Sequence, residues 1–152
     1  MNIKLVRKRK TKECVEGYLS IDSRFFCDTA ENTNTLMPTG KYGVSLYLCK
    51  QYHALIPLIT SQNLEKCKIS NYCKRCRKCK QVNKNTNLKL VCQRFSSGNG
   101  IYNRTDGAII IGKRITRGCM KLTVAPYNEL IELIMRSTEK CEEIMLTIVD
   151  EY

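Results

Sequence analysis

Hydrophobic and polar residues alternate along several short stretches of this chain, which is the period of half-buried β-strands. The alternation predicts strands at 2–8 (NIKLVRK), 17–22 (GYLSID) and 43–49 (GVSLYLC). Residues 88–94, 107–112 and 143–149 (EIMLTIV) are predicted to be three further strands. The pattern therefore predicts a domain built mainly from β-sheet.

A single stretch has the helical period instead. The segment PYNELIELIMRSTEK (126–140) places Leu130, Ile131, Ile134 and Met135 on one face, and Pro126 suits the first turn of a helix. We therefore predict one α+β domain over residues 1–152, a small mixed or antiparallel sheet or sandwich with one late helix. Residues 61–87, which are rich in cysteine and lysine, are predicted to be an insertion between two strands of this domain.

The chain of 152 residues is long enough to bury the core of one domain. Its longest apolar runs, such as Ala108–Ile111, are too short to span a bilayer, so we expect no membrane partner. The first residues, MNIKLVRKRKTKE, lack the apolar stretch of a secretory signal. The ten cysteines are therefore expected to be thiols or metal ligands in a reducing compartment rather than disulfides.

The net charge of +12 is distributed unevenly along the sequence. Fifteen lysines and arginines but only one acid, Asp106, lie between Lys66 and Lys121. The segment Glu129–Glu151 instead contains seven acids and two cations. This layout favours an anionic partner for the middle of the chain: nucleic acid, an acidic protein surface or a teichoic-type polymer. The alternative is a solvated basic face within a larger assembly.

Several short motifs follow one another along the sequence. They are GYLSIDSRFFCDTAE (17–31), PTGKYGV (38–44), PLI (57–59), SSGN (96–99), TDGAIIIG (105–112) and YNELIEL (127–133). In this order the chain resembles a family of small bacterial and tailed-phage proteins known as a domain of unknown function. Its members read G-x-L-x-I-(D/N)-x-x-x-F-C-D-T-x-E, then P-x-G-x-Y-x-V, then H-x-G-N followed by D-T-x-G-C. The resemblance covers nearly the whole chain except residues 61–87, and it implies an L,D-transpeptidase-like fold.

The resemblance also implies where a catalytic pair would stand. In the family's H-x-G-N and G-C motifs, an imidazole could deprotonate a thiol that attacks an acyl carbonyl. Ser96 occupies the histidine position and Ala108 the cysteine position, while Asn99 and Gly107 match the pattern. The segment from Asn99 to Gly107 is one residue longer than in the family. The resemblance thus implies that the catalytic pair has been lost.

A second cysteine allows an alternative alignment with a catalytic motif. The segment TRGCMKL (116–122) is similar to the S-x-G-C-(I/V)-R-(L/M) signature of L,D-transpeptidases, with Cys119 at the nucleophile position. Those enzymes have a His-Gly pair about a dozen residues upstream, and this chain has no histidine in that window. The only histidine, His53, lies in the predicted strand QYHALIPLI. Cys119 is thus either a nucleophile with His53 as a distant base or a free thiol in a strand.

The insertion contains the densest group of cysteines. Zinc is held by four thiolate or imidazole ligands, and C-x-x-C spacing supplies two of them. Four of five cysteines are candidate ligands: Cys67, Cys73, Cys76, Cys79 and Cys92. Five interleaved cations would offset the thiolate charge or bind an anionic partner: Lys74, Arg75, Arg77, Lys78 and Lys80. The alternative is a set of reduced thiols on a basic loop.

Three hypotheses about function follow. The first is a non-enzymatic structural or interaction protein of a tailed phage, a tail, ring or neck component on a degenerate transpeptidase-like scaffold. Its partners would be other virion proteins with acidic surfaces, in an oligomeric assembly put together in the host cytoplasm. The second is a cell-wall-acting cysteine enzyme that uses Cys119. The third is a zinc-stapled accessory protein that binds nucleic acid independently of sequence, with Tyr72 available to stack on a base.

Overall fold

The computed structural model of the chain describes residues 1–49, 53–61, 93–98 and 107–152, which form nine strands and one α-helix. The helix, α1, is Val124–Glu139. The strands are β1 (Asn2–Lys10), β2 (Cys14–Ile21), β3 (Arg24–Asn32), β4 (Gly40–Cys49), β5 (Ala54–Ser61), β6 (Phe95–Ser96), β7 (Ile109–Thr116), β8 (Cys119–Lys121) and β9 (Met145–Asp150). Within the described part of the chain, no helix has the length and apolar character needed to cross a bilayer.

The strands form one mixed sheet in the order β5-β4-β9-β1-β2-β3-β7-β6, and β8 pairs with β7 outside this path. The pairs β1–β9 and β6–β7 are parallel, and the other pairs are antiparallel. The sheet curls into a half-barrel, which brings β5, at one end of the strand order, close to β6 at the other. There Leu58 forms a bridge with Arg94, and the Ile59 N–H donates to the Gln93 carbonyl oxygen at 2.9 Å.

The main core lies between α1 and one face of the sheet, here called the inner face. Because side chains alternate across a strand, every second residue of β1, such as Ile3 and Leu5, points to this face. Leu130 and Ile134 of α1 are fully buried in the same cluster. The helix packs against β4, β5 and β7, so it fills the half-barrel that the sheet forms.

A smaller core lies on the opposite, outer face of the sheet. There Met120 of β8 packs with Cys14, Ala30 and Ile110, which belong to β2, β3 and β7. The hairpin formed by β7 and β8 (residues 109–121) therefore folds back over the outer face, and this placement fixes which of its side chains face solvent.

The predicted β-rich α+β architecture with one late helix is confirmed. The mixed-sheet alternative is the one observed. The helix begins at Val124, two residues before Pro126, and β2 begins at Cys14 rather than at residue 17. Residues 88–92 lie outside the described residues, and the strand in this region starts at Phe95, after the predicted 88–94 segment. Residues 62–87 of the predicted insertion also lie outside the described residues.

Candidate functional site

Two positions that the resemblance aligns with a histidine and a cysteine, Ser96 and Ala108, lie near each other: Ser96 is in β6 and Ala108 directly precedes β7. β6 and β7 run parallel, with Phe95 opposite Ile109 and Ser96 opposite Ile110. Ala108 is two residues before Ile110, so alternation places Ser96 and Ala108 on the same face as diagonal neighbours. A histidine and a cysteine at these two positions would therefore be close enough to pair.

The side chains present at these positions have different chemistry. Ser96 is buried, and its hydroxyl donates to the carbonyl oxygen of Ser97 at 3.0 Å. Ala108 is buried as well. Alanine cannot act as a nucleophile, and a serine hydroxyl cannot replace an imidazole as a general base near neutral pH. Asn99, the other matching residue of the motif, lies outside the described residues.

Gly107, next to Ala108, is held in a conformation that other residues rarely adopt. Its φ is +75°, and a Cβ there would lie 2.2 Å from Nε2 of Gln93. The Gln93 amide is itself positioned by donating to the Thr35 carbonyl oxygen at 3.3 Å. Within the described ranges, Oε1 of Gln93 and Oγ1 of Thr29 are buried without a hydrogen-bond partner. The Gln93 amide therefore occupies the space that a side chain at position 107 would need.

Cys119 is the first residue of β8 and is half-buried. It lies opposite Thr116 across the hairpin and directly follows Gly118, whose φ is +67°. Its neighbour Met120 points into the outer-face core, so alternation turns the Cys119 side chain away from that core. Its position in a strand is the one expected for a free thiol.

The sequence predicts His53 in a strand, but the structure places it outside one. It is an exposed turn residue before β5 with a φ of +47°. It thus belongs to the β4–β5 hairpin, whereas Cys119 belongs to the β7–β8 hairpin. The described strands contain no pairing between these two hairpins. Nor does any hydrogen bond between the described residues join His53 to Cys119.

The predicted zinc ligands and their neighbouring cations all lie outside the described residues. These are Cys67, Cys73, Cys76, Cys79 and Cys92, with Lys74, Arg75, Arg77, Lys78 and Lys80. In the described ranges, no three His, Cys, Asp or Glu side chains are grouped closely enough to hold a metal. Zinc binding by the insertion remains a prediction.

The β7–β8 hairpin is fixed to the body of the protein by a buried carboxylate. Glu16 of β2 accepts a hydrogen bond from the Gly118 N–H at 2.8 Å, and its other oxygen lies 3.5 Å from the Arg114 guanidinium. Arg114 is opposite Met120, whose side chain packs in the outer-face core. One face of the hairpin is therefore tied to the sheet by a charged contact and an apolar one.

The other face of the hairpin is exposed and basic. Lys113 and Lys121 are directly opposite each other, so they share one face, and both side chains are exposed. Like charges at opposing positions of an antiparallel pair are destabilising unless a counter-charge is present. Between residues 113 and 121 the sequence has two further cations, Arg114 and Arg117, and no acid.

Large apolar side chains are exposed beside these cations. Ile115 is 58% exposed and Leu122, which follows β8, is 64% exposed. Leu122 has a φ of +49°, in the left-handed region, and Val124 at the start of α1 is also exposed. Exposed apolar residues next to charged ones are typical of protein interaction sites.

The sequence did not reveal a buried ion pair on the inner face. The Arg7 guanidinium contacts both carboxylate oxygens of Glu31 at 2.7 Å, Asp150 at 3.2 Å and the Met37 carbonyl oxygen at 3.0 Å. Burial alone would lower the pKa of Arg7, but its hydrogen bonds and the attraction of Glu31 raise it. Arg7 therefore stays charged. The sequence contained one indication that Arg7 is buried. Arg7 continues the alternation of Ile3 and Leu5 along β1, which places it on the inner face.

The comparisons with known proteins give no assignment. No family model matches the chain, and neither the curated proteins nor the solved structures contain a match.

Proposed function

We propose that this chain is a non-enzymatic interaction protein that docks on an acidic partner through the exposed face of its β7–β8 hairpin. The observation that supports it best is the like-charge pair Lys113–Lys121, which is exposed beside Ile115 and Leu122 on a hairpin that Glu16 holds in place. A carboxylate supplied by a partner would offset the repulsion between the two lysines. The family resemblance makes a tailed-phage virion, as a tail, ring or neck component, the proposed setting.

Two observations support a non-catalytic role. A serine and an alanine occupy the neighbouring positions where the resembling family has its histidine and cysteine. The remaining candidates, His53 and Cys119, belong to different hairpins. General acid–base and nucleophilic catalysis both need a base within hydrogen-bond reach of the group that it deprotonates.

The composition of the hairpin surface favours a protein over nucleic acid. Its exposed apolar residues are the aliphatic Ile115 and Leu122, with no aromatic ring between residues 109 and 122. Surfaces that bind single-stranded nucleic acid stack the bases on aromatic side chains. A rim of cations around aliphatic side chains suits an acidic protein surface better.

Site-specific photo-crosslinking tests the docking surface. A photoreactive residue is placed at Ile115 and, as a control, at Phe25, which is 68% exposed on a different part of the sheet. In cells that produce the chain, we expect the Ile115 variant to give one discrete adduct that is absent with the Phe25 variant. Mass spectrometry then identifies the partner. The absence of an adduct at Ile115 would overturn the proposed function.

An activity assay tests the non-catalytic part of the proposal. Peptidoglycan fragments are incubated with the wild type and with Cys119→Ala and His53→Ala variants. We expect no turnover in any of the three samples. Turnover by the wild type that disappears in both variants would show that the chain is a cysteine enzyme. Fixed stoichiometry of the chain in purified virions would support the proposed setting.

A further inference from the structure

An acidic groove lies at the end of α1 that is farther from the β7–β8 hairpin. It is bounded by the C-terminal half of α1, the residues after it, and β4 and β5, and its volume is about 640 Å³. Its walls are mostly apolar and include Val44, Leu46, Leu55 and Met135. Met135 is 40% exposed, so an apolar side chain of the C-terminal half of α1 faces solvent.

Carboxylates line the same groove. Glu139 in the last turn of α1 and Glu142 just beyond it both belong to the lining. Glu142 is about half exposed, and one of its carboxylate oxygens lies 4.0 Å from the amino group of Met1. Glu143 follows directly and is exposed. The groove therefore combines an apolar floor with a negative rim.

The groove and the hairpin are complementary in apolar surface and in charge. The hairpin presents the aliphatic Ile115 and Leu122 beside Lys113 and Lys121, and the groove presents an apolar floor beside carboxylates. Apolar burial would supply affinity, and the opposite charges would fix the orientation. The groove is also large enough to receive an aliphatic side chain together with the stem of a lysine.

The two surfaces lie near opposite ends of α1. β8 ends at Lys121, three residues before α1 begins, whereas the groove is formed at the far end of the helix. A 16-residue helix is about 24 Å long, so the hairpin and the groove of one copy are well separated. Two different surfaces that bind each other either pair reciprocally in a two-fold dimer or form a head-to-tail contact, which continues until a ring closes or a filament grows.

We propose that the acidic partner of the β7–β8 hairpin is a second copy of this chain, and that the hairpin of one copy seats in the acidic groove of the next. This inference rests on the proposed function and names its partner. Lys113 and Lys121 meet Glu139 and Glu142 of the neighbouring copy, and Ile115 enters the apolar part of the groove. Because the contact uses exposed charges, it weakens as the salt concentration rises.

Two charge-reversed variants and their mixture test the contact. Lys113→Glu/Lys121→Glu reverses the hairpin, Glu139→Lys/Glu142→Lys reverses the groove, and Lys4→Glu/Lys41→Glu makes the same charge change at exposed residues elsewhere. In sedimentation at low salt, the wild type and the Lys4/Lys41 control should form assemblies that grow with concentration. Each reversed variant alone should sediment as a 17.5 kDa monomer, because its altered surface repels the unaltered one. An equimolar mixture of the two reversed variants should assemble again, because each surface then meets an opposite one.

Other outcomes would overturn the inference. A wild type that stays monomeric at every concentration, assemblies that neither reversal disrupts, or a mixture that fails to assemble would each do so. Melting temperatures near that of the wild type establish that the exposed substitutions leave the fold intact. Crosslinking at Ile115 separates the two proposals. An adduct with a different acidic protein would overturn self-association and support the proposed function, whereas the absence of any adduct would overturn both.

Discussion

Arg7 and Glu31 form a two-pronged ion pair inside the half-barrel, with both N–O distances at 2.7 Å. The pair joins β1 to β3 across the intervening strand β2. Both side chains are almost fully buried, so each depends on the other for its hydrogen bonds. This pair is a part of the fold that tolerates replacement of both partners better than replacement of one.

Replacing Glu31 alone should destabilise the protein strongly. Glu31→Gln removes the buried counter-charge of Arg7 and leaves Asp150 as its only charged partner among the described contacts. Removing one partner of a buried ion pair costs about 3–5 kcal/mol. Urea unfolding measures the loss. Arg7→Met/Glu31→Leu, which removes both charges, should lose less than Glu31→Gln. An equal or larger loss in the double variant would contradict this account of the pair.

The Glu16 carboxylate should hold the β7–β8 hairpin in its folded position. Glu16→Ala leaves the Gly118 N–H without its acceptor, and an unmade buried hydrogen bond costs about 1–3 kcal/mol. We expect that loss in urea unfolding and faster hydrogen exchange at the Gly118 amide. Glu13→Ala, at an exposed neighbour, is the control and should change stability by less than about 0.5 kcal/mol. Unchanged Gly118 exchange in Glu16→Ala would show that the hairpin is held by other contacts.

Gly107 should not accept a side chain. Gly107→Ala forces a left-handed φ on alanine and places its Cβ against Gln93, so we expect a loss of at least about 2 kcal/mol. Trimming Gln93 to alanine in the same chain removes the clash but not the backbone strain. In a double-mutant cycle, Gln93→Ala should therefore lower the free energy of unfolding less in the Gly107→Ala protein than in the wild type. If the two losses of stability simply add, the side chain at position 107 does not clash with Gln93.

The Cys27 thiol should make stability depend on pH in the alkaline range. Burial raises the pKa of Cys27 from about 9 to about 12, although a backbone hydrogen bond with Gly112 acts in the opposite direction. The neutral thiol is therefore favoured in the fold, and its contribution to stability is complete below about pH 9 and lost as the pH rises toward 12. The loss amounts to about 1.4 kcal/mol for each pH unit in that window.

The measurement compares the wild type with Cys27→Ala at pH 8 and pH 10. Other groups titrate in both proteins, so the difference between their slopes isolates the thiol. The wild type should lose more stability than the variant over this interval. Parallel slopes would show that Cys27 ionises as readily in the folded protein as in the unfolded one.

The β-rich class and the late helix could be predicted because the hydrophobic alternation is regular where strands pair regularly. β3 was missed because its first residues break that pattern: Phe25 is exposed, and the register shifts at Leu19 and Ser20 of the neighbouring strand. Irregular pairing of this kind depends on the partner strand and is not encoded in a local repeat. His53 was assigned to a strand for the converse reason, since the apolar run after it is regular but the residue itself lies in the turn.

The candidate interaction surfaces were harder to predict than the fold. The excess of cations in the middle of the sequence was visible, but the opposition of Lys113 and Lys121 depends on the register of the hairpin. The acidic groove combines residues from β4, β5 and the end of α1, which are distant in the sequence. Local sequence patterns do not record such neighbours.

The place of β9 has a consequence for the order of folding. β9 lies between β4 and β1, so before it docks the described strands form two parts, which meet where Leu58 is bridged to Arg94 and Ile59 bonds Gln93. Its parallel pairing with β1 brings together strands that are separated by most of the sequence. Such closure has a large entropic cost and is slow compared with forming local hairpins such as β2–β3. We therefore expect the central seam of the sheet to close last, once β9 has been synthesised, so that the half-barrel becomes one cooperative unit only at that point.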